Sequence, residues 1–339
     1  MNAVSDACAL SPVHFFLEPA GISFERARAL DPDRDWTDLR RGKEVWILQT
    51  YLRLRRLGYP VALANTVPSR GLVVYHKEEQ QLVLERLGPG AAPVLIAVRG
   101  DFRSADAADF EILQNGCFAD GDRAFFIPHW PQPGLIRRDA ARGTRVSRIA
   151  FKGYAGNLAA DFRSAEFARF LRDNALEFAC DAVVDDASDH PILADWHDYR
   201  EVDVALALRP GRHTHKPASK LQNAWLAGVP AVLSPDSAYR ELRRSPLDYL
   251  EARSVEEAKA AVLRLRSNPD LYRRMVENGR ERARDFTVEK VTDRWVQLLF
   301  DTLPAAARRY PERHYALGPR RLRTLLRKAS YATRGTPRK

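Results

Sequence analysis

The chain has 339 residues, 45% of them hydrophobic, and carries 54 Lys and Arg against 44 Asp and Glu for a formal charge of +10. This length exceeds one ordinary core and suits two domains of roughly 100–200 residues each, and the composition excludes wholesale disorder. No apolar run approaches the roughly 20 residues that a membrane-spanning helix needs, and the three cysteines, Cys8, Cys117 and Cys180, lack the spacing of a metal site.

Short apolar runs alternate with helical segments, the pattern of parallel sheets with crossover helices. Val13–Leu17 reads as a first strand, closed by Glu18-Pro19-Ala20-Gly21. A helix follows over Val45–Leu57, ended by Gly58. Strands are expected at Val61–Ala64, Leu72–Tyr75, Val94–Val98 and Ala124–Ile127. The run Pro128-His129-Trp130-Pro131-Gln132-Pro133 is too rich in proline for regular structure. It is read as the start of an interdomain linker reaching Arg145.

A second alternation begins at Ile149–Phe151, a strand that ends in Lys152-Gly153-Tyr154-Ala155-Gly156. A helix over Ala165–Asn174 leads to strands at Leu176–Cys180 and Val202–Leu208. The helix Lys220–Ala227 and the strand Pro230–Leu233 come next. Helices are expected over Glu256–Leu265, Pro269–Arg284 and Val288–Leu303. The division expected is residues 1–145, residues 146–305, and a basic segment over 306–339. Two doubly wound, Rossmann-like α/β halves facing across a cleft bind ligands where the carboxyl ends of their strands meet, so chemistry belongs on the loops after strands.

The most informative stretch is Leu208 to Pro235, LRPGRHTHKPASKLQNAWLAGVPAVLSP. It leaves an apolar strand, passes a loop holding Arg209, Arg212, His213, His215 and Lys216, and enters a helix near Ser219-Lys220. A helix N-terminus offers unpaired amides and the positive dipole end. Lys216, Lys220 and the Ser219 hydroxyl add charge and a donor. Spacing alone leaves two readings open, a phosphate or diphosphate site and a solvated basic loop.

Ala224-Trp225-Leu226-Ala227-Gly228-Val229-Pro230-Ala231-Val232 resembles the "EAMAxGxPVI" segment of group-1 glycosyltransferases of the GT-B fold. Lys216-Pro217-Ala218-Ser219-Lys220-Leu221-Gln222-Asn223-Ala224 is similar to the K-P-x-x-K-L-x-N-A variant of bacterial polysaccharide-related members. The downstream order agrees: Leu250-Glu251-Ala252, Asn268-Pro269-Asp270-Leu271-Tyr272, Asn278-Gly279-Arg280, Phe286-Thr287, then a last helix with Trp295. The likeness covers roughly Ile149 to Phe300. In the first half only strand order and Val98-Arg99-Gly100-Asp101 are suggestive. Where many members carry two glutamates eight positions apart, this chain holds His215 and Asn223.

The resemblance implies transfer of a sugar from a nucleotide sugar to a glycan or lipid-linked acceptor in surface polysaccharide synthesis. It makes Arg209, His215, Lys216, Ser219, Lys220, Asn223, Gly153 and Tyr154 the candidates for the donor. Positive charge is needed where the diphosphate departs. No Asp-x-Asp motif follows a strand, since Asp185-Asp186 and Asp31-Pro32-Asp33 are poor substitutes, so no metal and no other cofactor is expected. The loop Trp196–Arg200 stands where related folds meet the nucleotide base, although Trp196 and Tyr199 equally suit a core. The first half is expected to hold the acceptor and any general base. Asp101, His76 and Glu18 are the candidates, with helix capping as the alternative for Asp101 and a surface position as the alternative for His76.

Epimerisation or hydrolysis of a nucleotide sugar, and binding of one without turnover, stay open as alternatives. Nucleic acid is not expected as a partner, because no basic segment interleaved with aromatic residues is present. A cytoplasmic setting is expected from the scattered cysteines and from Met1–Leu10, which does not read as a secretory signal. The basic segment Pro319–Tyr331, with Leu322, Leu325 and Leu326 at helical spacing, suits either an anionic membrane surface or packing on the first half.

Overall fold

Two all-parallel sheets organise the chain. The computed structural model describes residues 12–19, 21–39, 42–102, 104–105, 107–183, 195–211 and 215–309. The basic segment beyond residue 309 therefore lies outside the described residues, as do Arg212 and His213.

The first sheet consists of β1 (Val13–Phe16), β2 (Val61–Ala64), β3 (Leu72–His76), β4 (Val94–Val98), β5 (Phe110–Leu113) and β6 (Ala124–Phe126), in the order β2-β1-β3-β4-β5-β6. The second consists of β7 (Arg148–Tyr154), β8 (Glu177–Val183), β9 (Val204–Ala207), β10 (Ala231–Leu233) and β11 (Leu250–Glu251), in the order β11-β10-β9-β7-β8. Parallel neighbours need crossovers. Helices α1 (Phe24–Ala29), α2 (Gln49–Arg56) and α3 (Gln80–Glu85) serve the first half. Helices α4 (Ala165–Asp173), α5 (Ser219–Ala227), α6 (Ser237–Leu242), α7 (Val255–Ser267) and α8 (Pro269–Ala283) serve the second. Both halves are thus Rossmann-like α/β domains.

Burial follows the two-residue period of a strand covered on both faces. In the first sheet Phe15, Val74, Ile96 and Val98 enter one core, while Phe16, Val73, Tyr75, Leu95 and Ala97 enter another. The first core also takes in the end of the described chain, α9 (Val288–Val296) and α10 (Leu303–Arg309), joined by a wide helical stretch over Gln297–Thr302. Val291, Trp295, Leu298, Leu299, Leu303 and Ala306 all lie in that core, at helical spacing. Trp295 meets Trp46 edge-on at 6.4 Å, and Tyr59 stacks on Phe300 at 4.9 Å. The helix read from the sequence as the close of the second half therefore packs in the core of the first. An apolar stripe says that a helix is covered, not which sheet covers it.

Several motifs carrying the resemblance resolve into packing. Asn268 caps α8 by accepting from the Leu271 amide at 2.9 Å, with Pro269 in the first turn. A Cβ at Gly279 would stand 3.0 Å from Trp225 Cδ1, so the glycine sets how closely α8 crosses α5. Thr287 caps α9 by accepting from the Lys290 amide at 3.3 Å. β5, β11, α1, α3 and α6 were not anticipated. β5 hides because Glu111 interrupts its apolar run, and its carboxylate accepts from Ser104 Oγ at 2.8 Å and from the Ala105 amide.

The linker between the sheets is anchored at both ends. Trp130 is buried, donates to Thr50 Oγ1 at 3.0 Å and lies under the Arg53 guanidinium. Further on, Arg138 and Arg142 converge on Asp203, just before β9. Its two carboxylate oxygens accept from Arg138 and Arg142 at 2.8 Å, from the Ser147 amide at 2.8 Å and from the Arg148 amide at 2.9 Å. The Asp203 carbonyl accepts from the Tyr272 hydroxyl at 2.9 Å. Burial raises the proton affinity of this fully buried carboxyl, but the arginines and amides outweigh it and hold its pKa far below the usual carboxylate range.

Asp203→Ala strands two arginines and is expected to lower stability by about 3 kcal/mol or more, measured by denaturant unfolding. Because this carboxyl binds protons less readily folded than unfolded, its contribution is complete above roughly pH 4 and is lost as the pH falls below that. The acid limb of the stability profile is therefore expected to be shallower in the variant than in the parent.

Candidate functional site

In each sheet the strand order reverses once, and at that point two neighbouring strands send their following loops apart and leave a crevice. In the second sheet the reversal falls between β7 and β9. The carboxyl end of β7 is Lys152-Gly153-Tyr154, and the loop after β9 begins with Leu208-Arg209. Helix α5 starts beside them with Ser219 and Lys220, preceded by Ala218, whose side chain cannot cap it. The Leu221 amide is already bonded to the Ala218 carbonyl at 3.0 Å, so the anion-binding potential of this helix start lies with the Ser219 and Lys220 amides ahead of it and with the dipole.

Lys220 is the central group. Its Nζ stands 5.4 Å from the Phe151 ring centre and close to Gly153. A Cβ at Gly153, whose φ is +155°, would come within 2.6 Å of Nζ. The glycine thus makes room for the ammonium. Among the described residues no acceptor forms a hydrogen bond or ion pair with it. Burial, then the positive charges of Arg209 and Lys216, bring its pKa down to about 7, with Asp101 and Asp236 opposing.

Arg209, expected to serve the donor, is buried and bound to Asp236 at 2.5 Å, with its guanidinium carbon 5.5 Å from the Tyr239 ring centre. The crevice therefore pairs a neutralised arginine with a lysine lacking a counter-ion. Asn223 is also engaged: its Oδ1 accepts from the Gln132 amide of the linker at 3.0 Å. This amide fastens the linker to α5, a role that the sequence pattern did not suggest. Tyr154 meets Trp196 edge-on at 5.2 Å, and Trp196 Nε1 donates to the Asp181 carbonyl at 2.7 Å. Tyr199 is buried in the second core.

His215 and Lys216 reach the other half. Arg99, one residue past β4, places its guanidinium 2.9 Å from His215 Nδ1, and its second arm lies 3.3 Å from Glu111. Lys216 Nζ forms an ion pair with Asp101. Gln114, one residue past β5, donates from Nε2 to Asp101 Oδ1 at 2.6 Å and lies 3.5 Å from the His215 carbonyl. Asn115 Nδ2 donates to Ser237 Oγ at 2.9 Å and extends the contact to α6. Asp101 thus faces the cationic loop across the cleft and caps no helix among the described residues.

The two other base candidates are placed differently. The Glu18 carboxylate lies 2.7 Å from Arg86, its backbone amide donates to Glu79 Oε1 at 2.8 Å and its carbonyl accepts from Lys43 at 2.7 Å. It is the pivot of a local network around Glu79, whose carboxyl burial pushes up. His76 is only 3% exposed and is no surface residue. Its ring is wedged between glycines: a Cβ at Gly100 would meet Nε2 at 2.8 Å and one at Gly42 would meet Cε1 at 3.4 Å. Both residues lie at the reversal point of the first sheet, between β1 and β3, but only Asp101 presents a carboxylate to the cationic loop. Arg99 and Gln114 were missed as site residues. The strand-end rule points to Gln114 once β5 is recognised.

Among the described residues no group of three His, Cys, Asp or Glu side chains is arranged to hold a metal ion. No described helix is long and apolar enough to cross a membrane.

No protein-family model matches the chain, and no curated protein matches it in sequence. Among solved structures it is similar to Anabaena HepE in complex with UDP, with a TM-score of 0.46 and 10% identity over 73% of this chain and 88% of that one. A variant of S. aureus TarM in complex with fondaparinux, α-GlcNAc-glycerol and UDP gives a TM-score of 0.48 and 12% identity, covering 75% of this chain and 59% of TarM. AviGT4, a glycosyltransferase involved in avilamycin A biosynthesis, gives 0.45 and 14% over 77% and 89%.

The lysine environment is open to direct measurement. An NMR titration of the lysine ε-carbons is expected to reveal one group with a pKa of about 7. That resonance is expected to disappear in Lys220→Ala. In Asp101→Asn it should titrate at lower pH, because the removed carboxylate favours the charged ammonium.

Proposed function

We propose that the chain transfers a sugar from a nucleotide-sugar donor to a hydroxyl of a glycan or lipid-linked acceptor. The observation that carries this reading is the Lys220 ammonium. It is set into the reversal point of the second sheet at the start of α5, without a counter-ion among the described residues, and faces a carboxylate of the other half. A cation placed there without an acidic partner is costly unless an anion completes the site. The motif Lys216-Pro217-Ala218-Ser219-Lys220 supports a diphosphate as that anion.

In this reading the diphosphate rests on Lys216, Lys220 and the start of α5, while Gly153 leaves room for the Lys220 side chain beside the strand end. Asp101 takes the proton of the acceptor hydroxyl as its oxygen bonds to the anomeric carbon. The bond from that carbon to the phosphate oxygen breaks, and the nucleoside diphosphate leaves against the lysines. Surface polysaccharide synthesis at the cytoplasmic face of a membrane is the setting that the motif suggests. The lysines supply the positive charge that a metal supplies elsewhere.

Four outcomes are expected. In a thermal-shift screen of UDP, GDP, ADP and CMP and their sugar conjugates, one nucleotide at about a hundred times its Kd should add roughly 2.7 kcal/mol of stability. Lys220→Ala should weaken that ligand by about tenfold or more, the loss of one charge-assisted hydrogen bond, in calorimetric titration. Asp101→Asn should lower turnover by about 10²–10⁴-fold with the fold intact, and chelation by EDTA should leave the parent's turnover unchanged. A full-rate Asp101→Asn enzyme would remove Asp101 from the chemistry.

A further inference from the structure

Asp101 is held from both sides of the cleft. Gln114 donates to Oδ1 at 2.6 Å from the first half, and Lys216 pairs with Oδ2 from the second. The two holders differ in kind. Gln114 is buried at the end of β5 and is fixed by the sheet. The pair with Lys216 is half open to water, its side chains 25% and 47% exposed. Such a pair is screened and weak, and it yields to a stronger anion. Lys216 is also three residues before α5 and contributes, with Arg209, to the positive field at Lys220.

We propose that Asp101 and the diphosphate of the donor compete for Lys216, so that donor binding exchanges the partner of this lysine and frees the Asp101 carboxylate while Gln114 keeps it in place. This rests on the reading of the crevice as a nucleotide-sugar site. Two negative charges on a diphosphate, met also by Lys220 and the α5 amides, outcompete one carboxylate. Gln114 is then a positioning residue, and acceptor activation follows donor binding in order.

The test is calorimetric titration of UDP, GDP and ADP into the full chain, its Asp101→Asn and Asp101→Ala variants, Lys216→Gln, and the Asp101→Asn/Lys216→Gln double variant. The isosteric amide no longer claims the lysine, so Asp101→Asn is expected to bind the preferred nucleotide about two- to fivefold tighter than the parent. Lys216→Gln is expected to bind it more weakly, and Asp101→Asn should add nothing in that background. Asp101→Ala repeats the comparison with a side chain that cannot pair with the lysine. Equal affinity of the parent and both Asp101 variants would overturn the exchange while leaving the nucleotide site intact. The same tightening in the Lys216→Gln background would overturn it too, since it would come from net charge alone. If neither the parent nor any variant bound any of the three nucleotides, with unchanged circular dichroism, the reading of the crevice and the exchange would fall together.

Discussion

The arrangement of the cleft depends on a single buried carboxylate. Asp203 sits at the entrance to β9 and gathers two linker arginines and two backbone amides, with the Ser147 hydroxyl at 3.1 Å completing the shell. A charge removed from water in this way is tolerated only because its acceptor positions are filled, and each donor comes from a segment that must be positioned. The linker is thereby bound to the start of the strand whose far end opens the candidate site. Through Tyr272 the same residue also orients α8, which packs on α5. Trp130 ties the other end of the linker to α2 through Thr50. What crosses between the halves is therefore a braced strap rather than a free tether.

On that frame the site separates its charges. Arg209 and Asp236 neutralise each other in the interior, Arg99 is shared between Glu111 and His215, and Lys216 meets Asp101. Lys220 alone of these cations is left without an acidic partner. The unequal treatment of neighbouring cations sets Lys220 apart from the paired, structural ones. A paired arginine offers little net field, whereas an unpaired lysine beside a helix start adds to the field there.

The first half contributes differently. Its reversal point holds Glu18, Lys43, His76 and Glu79, but these groups are turned on one another or closed in by Gly42 and Gly100. The carboxylate that faces the cationic loop comes from the next strand along, with a glutamine from the strand after that beside it. The two halves thus meet through side chains on strand ends, where short loops allow reach and the sheet limits motion.

Local chemistry was enough to read much of this from the sequence. Short continuous apolar runs marked β1 to β4 and β6 to β10, because a strand covered on both faces must be apolar throughout. The helix start at Ser219-Lys220 and its lysines were legible as a cationic loop, because they are neighbours in the chain. The motifs Asn268-Pro269, Gly279 and Phe286-Thr287 were legible for the same reason, although their work is capping and packing. Tertiary structure decided what depends on partners distant in sequence. Asp101 and Lys216 lie 115 positions apart, Trp130 and Thr50 lie 80 apart, and no local pattern records their meeting. Nor does a stripe on a helix state which core receives it, so only packing placed α9 and α10 on the first sheet. The sequence by itself determined the elements and the cationic loop. The fold decided which basic side chain was left without an acidic partner, because pairing depends on distance in space.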